Sequence, residues 1–173
     1  MAGRFSFLRR FGRDVAGSAA VETVLIMPLA ILVMVAAMEA GNYLYSEHQV
    51  VKGVRDAARF AGRVLPLSTC ASASAEADLP SSDPAWQTIA NVAVYGSTAN
   101  TGPRRLWTWN ANGTDVIIRY ACVAQTGLYT STGFAPQIAV IGKPTYPSLF
   151  GTMTGLTSSY RLYSRQQAAG VGI

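Results

Sequence analysis

Charge is scarce in this chain, and histidine and cysteine are scarcer. Only 13% of the 173 residues are Asp, Glu, Lys or Arg, against 50% hydrophobic residues, with a single histidine and two cysteines. That set is too small for a convincing zinc site, and Cys70 and Cys122 lie much too far apart for a CxxC redox motif. The sequence has no GxxxxGK[ST] loop, so ATP-driven work would belong to a partner. In the C-terminal region the acidic residues are Glu76, Asp78, Asp83 and Asp115, and they form no suggestive carboxylate pair. His48 stands apart from any recognisable nucleophile context and is expected at an interface or in solvent. The expectation is a non-enzyme with no cofactor, no metal and no catalytic residue.

The missing charge has an address. No charged residue occurs from Val24 to Met38, and from Ser18 to Gly41 the charges are Glu22 and Glu39. As a helix these 24 residues would be about 36 Å long, enough to cross a hydrocarbon core of roughly 30 Å. Arg4, Arg9, Arg10 and Arg13 precede the run, as the positive-inside rule expects of a cytoplasmic flank. Without residues 1–17 the net charge falls from +5 to +2, so the basic character reports topology rather than a nucleic-acid partner. The expected location is a bacterial inner membrane, crossed once, with the N-terminus in the cytoplasm and the C-terminal part outside. Cys70 and Cys122 both lie on the outer, oxidising side, where one disulfide is the simplest outcome and two buried thiols the alternative.

The chain divides into a basic leader (1–17), a transmembrane helix with an amphipathic stalk (18–63) and an exported domain (64–173). The leader, with Phe5, Phe7, Leu8 and Phe11 between its arginines, suits either a short element on the inner membrane surface or a flexible segment. In the helix Pro28 is expected to make a kink. Beyond the span Val51, Val54, Ala58 and Ala61 recur at helical spacing, with Lys52, Arg55, Asp56, Arg59 and Arg63 on the remaining surface. Gly41 and Gly53 read as points where the rod could bend, and Leu65-Pro66 as its end.

The remainder reads as a small α+β domain with a mainly antiparallel sheet of three or four strands and one short helix. Residues 68–83, rich in Ser, Ala, Asp and Pro, read as a loop. Asp83 and Pro84 can open a helix with Trp86, Ile89, Ala90, Ala93 and Val94 on its apolar face and Gly96 as its stop. Candidate strands are 106–109, 115–123, 137–142 and 159–166, with a turn at 110–113 after the first. In a strand, Trp107 and Trp109 would share one face. Such aromatics could bind a glycan or protein ligand, or fill the core of a domain poor in leucine.

At the head of the apolar run, Gly17-Ser18-Ala19-Ala20-Val21-Glu22 resembles a prepilin processing site, cut after the glycine and leaving the glutamate fifth. A Glu22 that simply snorkels at the membrane boundary is the plainer explanation. Over residues 9–63 the chain resembles the TadE-like family of tight-adherence (Flp) pilus assembly proteins. The resemblance rests on the basic leader, Gly17 with Glu22, Pro28 six residues later, Glu39 with Gly41, and Ala57-Ala58-Arg59. Thr23 departs from it, standing where an aromatic is common. The resemblance implies a minor pilin or pseudopilin whose partners are membrane lipid, the pilin, platform proteins, sister TadE-like subunits and a prepilin peptidase. Two rivals remain. One is a bitopic exported binding module, and the other a secretory signal cleaved near Ala37.

Overall fold

An apolar run with no breaker but Pro28 can satisfy its backbone in lipid as a single helix. The computed structural model describes residues 15–65, 70–124, 133–151 and 160–171. Residues 1–14 of the leader, Pro66, Tyr129 and the start of the last candidate strand at Ser159 lie outside them. Helix α1 runs from Val15 to Val64 with Pro28 inside it. The helix belongs to two units of the chain, one ending at Ala40 and one comprising Gly41–Ile173.

Within the second unit, β1 (Ser74–Asp78), α2 (Pro84–Tyr95), β2 (Val116–Ala124), β3 (Phe134–Gly142) and β4 (Ser164–Ala169) follow in order. The sheet has the order β1-β2-β3-β4, and every neighbouring pair is antiparallel. The expected α+β class, with one long N-terminal helix, one short helix and an antiparallel sheet, is what the chain forms. The short helix has the expected ends. Asp83 accepts a hydrogen bond from the Ala85 amide at 2.8 Å, Pro84 sits in the first turn, and Gly96 closes the helix in the left-handed region at φ 73°.

Alternation along the strands divides the sheet into two unlike faces. Val116 and Ile118 of β2 and Ile138 and Val140 of β3 enter the core with Val54, Ala57, Ala58 and Ala61 of α1 and Ile89 and Ala93 of α2. Each such aliphatic side chain removed from water contributes about 1.5–3 kcal/mol for the larger ones. The opposite face carries two ion pairs. Arg119 Nε meets Asp78 Oδ1 at 2.6 Å, and Arg165 Nη2 meets Glu76 Oε1 at 2.8 Å. The second pair joins the two edge strands across the face, and Arg165 stands opposite the buried Ile141 in register.

Trp109 lies at the centre of the unit, 0% exposed. A Cβ added at Gly53 would meet its ring at 2.9 Å and collide with the Ala93 carbonyl, and one added at Gly142 would meet the ring at 3.0 Å. The two glycines thus make the space into which the indole fits between α1, α2 and β3. Gly53, read from sequence as a place to bend, is a close-approach position in an uninterrupted helix.

Other sequence expectations need correction. Residues 106–109 form a turn, not a strand: the Trp109 amide donates to the Leu106 carbonyl at 3.0 Å. Trp107 is 75% exposed, so the two tryptophans share no face. Asp115 shapes the segment that follows. Its buried carboxylate accepts from the Asn110 amide at 3.0 Å and from Arg161 at 2.6 Å, drawing 110–115 into a compact loop. Within 68–83, Ser74–Asp78 form an edge strand on β2. The last strand begins at Ser164, later than expected, and before it Arg161 makes an isolated bridge to Thr145.

Candidate functional site

The first unit of α1 has no inside. From Ala19 to Met38 the described side chains are exposed apart from a partly covered Val35, and they include Val21, Leu25, Leu29, Ile31 and Leu32. Among the described residues, Ala19–Val64 is the one helix long and apolar enough to cross a membrane. A helix apolar all round is a membrane span or a buried core element, and this stretch is not covered by its own chain.

The residues singled out from sequence lie along this helix. Gly17 and Ser18 are both in helical conformation, and a Cβ added at Gly17 would meet nothing within 4 Å. Packing therefore gives no reason for a glycine at that position. Glu22 is exposed one helical turn beyond Ser18, at the i, i+4 spacing that stacks two residues on one face. Beside it the Thr23 hydroxyl donates to the Ala19 carbonyl at 2.8 Å. A hydroxyl satisfied by its own helix is inexpensive in lipid, so threonine is compatible with the span. Pro28 has no amide to offer Val24, yet the helix continues through it. Towards the other end Glu39 is 3% exposed, and Gly41 faces open space.

The second unit begins with a clamp that sequence reasoning missed. Asn42 Nδ2 donates to the Pro147 carbonyl at 2.8 Å and to the Tyr146 hydroxyl at 3.1 Å. Tyr43 packs on Tyr146 and Tyr160 with ring centroids 5.4 and 6.1 Å away, and those two rings are 6.4 Å apart. A hydrogen bond with Tyr160, together with burial, pushes the Tyr43 phenol up to about 12. The signal that could have found this group was tyrosine's preference for the rim of a core, but nothing local pairs residues a hundred positions apart.

Cys70 and Cys122 form a disulfide with their Cα atoms 5.5 Å apart, joining the segment after α1 to β2. His48 is exposed on α1. Among the described residues no three of His, Cys, Asp and Glu are grouped as metal ligands would be.

Residues 17–59 match the family model of TadE-like proteins. Over that stretch the chain is similar to TadE-like proteins. The match begins at the unexplained Gly17 and ends at Arg59, so it takes in the exposed span, the clamp residues of α1 and the buried stripe as far as Ala58. It covers about a quarter of the chain, and the sheet lies outside it. No curated protein and no solved structure gives a significant match to this chain.

Proposed function

We propose that this chain is a non-enzymatic minor pilin or pseudopilin that supports assembly of a tight-adherence pilus from the bacterial inner membrane. Its leader (1–17) lies in the cytoplasm, α1 crosses the bilayer once, and the domain after residue 63 is exported. A prepilin peptidase cuts after Gly17, and the partners are the pilin, the platform proteins and sister TadE-like subunits. The observation that carries this reading is the exposed apolar helix with Gly17, Glu22 and Pro28 spaced along it, inside the TadE-like match. Such a helix can sit in lipid alone or pack among identical helices, and Pro28 supplies a kink that adjusts its path.

Cutting after Gly17 would give Ser18 an α-ammonium close to Glu22 of the same or a neighbouring subunit. An unpaired carboxylate in a low-dielectric bundle is costly, so pairing the two would fix axial register between subunits. The test is Glu22→Ala in the full-length chain, read as the amount of this protein recovered with pilus assemblies. Recovery is expected to collapse while the amount in the membrane stays level. Unchanged recovery would overturn the register mechanism. The rival binding module has lost its paired tryptophans, since only Trp107 faces solvent. Genes for a secretion ATPase, a small Flp-type pilin and a prepilin peptidase beside this one would favour the pilus reading, and their absence the rival.

A further inference from the structure

Acidic side chains in the second unit are nearly all engaged by the chain itself. Gly41–Ile173 carries ten basic residues against six acidic ones, and no acidic residue follows Asp115. Asp56 pairs with Arg105, Glu76 with Arg165, Asp78 with Arg119, and the buried Asp115 with Arg161. Asp83 caps α2. That leaves Glu47, half-buried on α1.

The remaining cations are gathered rather than scattered. Lys52, Arg55, Arg59 and Arg63 are exposed and follow one another at intervals of three, four and four, so they stand on one face of α1. Among the described residues none of the four enters an ion pair. Asp56 borders this stripe, but Arg105 holds its carboxylate at 2.8 Å. Glu47 comes five residues before Lys52, about 140° away around the helix, and faces elsewhere. Like charges at these spacings repel one another, and exposed side chains gain nothing from the core in return.

A groove of about 490 Å³ runs beside the stripe, between Arg59, Phe60 and Arg63 of α1 and Val92, Ser97 and Thr98 in and just after α2. Its floor is the buried Val92 and the half-buried Phe60, and its rim is two arginines and two exposed hydroxyl residues. An apolar floor inside a polar rim is the make-up of a protein contact. Guanidinium groups bind carboxylates through two parallel hydrogen bonds. Carboxylates along a partner helix repeat at the same period as the stripe and can meet it one for one, over about 16 Å. The second unit of another copy has no comparable row of carboxylates to offer, since Glu47 is the one neither paired nor capping.

We infer that the basic face of α1 at 52–63, with the groove beside Phe60, docks an acidic helix of a different protein. The inference rests on the second unit alone, so it stands whether or not the chain is cut after Gly17.

The test titrates the full chain, in uncharged detergent, into a fluorescein-labelled alanine-based helical peptide and follows anisotropy. The peptide carries four glutamates at the intervals of the stripe and one leucine beside them. Binding is expected, weakening as salt is raised, and a glutamine version of the peptide should not bind. Arg59→Glu should weaken binding by about tenfold, whereas Lys143→Glu, an equal change in net charge elsewhere, should leave it within about twofold. Near-ultraviolet circular dichroism checks that both variants keep the fold. No binding, or equal loss in the two variants, would overturn the proposal, the latter by showing attraction to net charge alone. Tighter binding of a single-stranded oligonucleotide of equal charge would overturn it in favour of nucleic acid.

Discussion

Val24 and Val54 belong to one continuous helix, yet the first is 68% exposed and the second 0%. The residue type is the same and so is the backbone, so the difference lies in what each stretch was selected to face. From Ala19 to Met38 the described apolar side chains other than Val35 are exposed, and stability must come from a surrounding medium. In the second unit, the stripe of Val50, Val54, Ala57 and Ala61 looks onto α2 and the sheet, and stability comes from the chain's own packing.

The sharpest way to break this contrast is to truncate an apolar side chain in each unit. Trp109→Ala should destabilise the folded body by about 3–5 kcal/mol, since a fully buried indole leaves a cavity between rigid elements. Val24→Ala in the same detergent micelles should leave the unfolding transition in place. Equal shifts in denaturant midpoint, followed by near-ultraviolet circular dichroism, would mean that the span is packed against the body after all. Next in size is the disulfide. Replacing Cys70 and Cys122 together by serine should cost about 2–4 kcal/mol in the same assay, because the bond closes a long loop in the unfolded chain.

Glycines give a smaller and more discriminating contrast. Gly53→Ala should destabilise by about 1–3 kcal/mol, because the methyl group meets the Ala93 carbonyl and the Trp109 ring. Gly41→Ala meets nothing and should stabilise the helix by about 0.5–1 kcal/mol, the usual gain on removing a helical glycine. If both substitutions acted alike, the two glycines would have the same role and the tight crossing at Gly53 would be wrong.

The clamp adds the smallest effect, visible at alkaline pH. The Tyr43 phenol is raised from 10 to about 12 in the folded chain, so folding favours its protonated form. That contribution is complete below pH 10, the unfolded value, and is lost as pH rises through about 12. Stability of the wild-type chain should therefore fall across this window, and Tyr43→Phe should flatten the fall. An identical slope in the variant would remove the clamp from the account.

These contrasts were unevenly legible in the sequence. The span, the stripe beyond it and the ends of α2 depend on residues close together in the chain, so periodicity and caps reveal them. Ser74–Asp78 carries no β-branched residue and every side chain is exposed, so nothing within it marks a strand. It is a strand because β2 pairs with it and the disulfide holds the neighbouring segment in place. Leu106–Trp109 alternates like a strand, and the Asp115 contact that gathers the next segment lies outside that window. Gly53 looked like a hinge because its reason, the Trp109 ring, lies 56 positions away. Of the candidate site, Gly17, Glu22 and Pro28 were readable because they lie on one helix. The Asn42–Tyr43 clamp was not, since its other half is a loop brought in by the fold.

The most direct test of the central claim, that α1 is retained as a processed membrane anchor for assembly, is the mass of the mature protein isolated from its native membrane. A chain beginning at Ser18 is the expected result, with α1 kept and Glu22 fifth. A chain beginning at Met1 would contradict processing after Gly17. One beginning near Met38 would contradict the anchor itself.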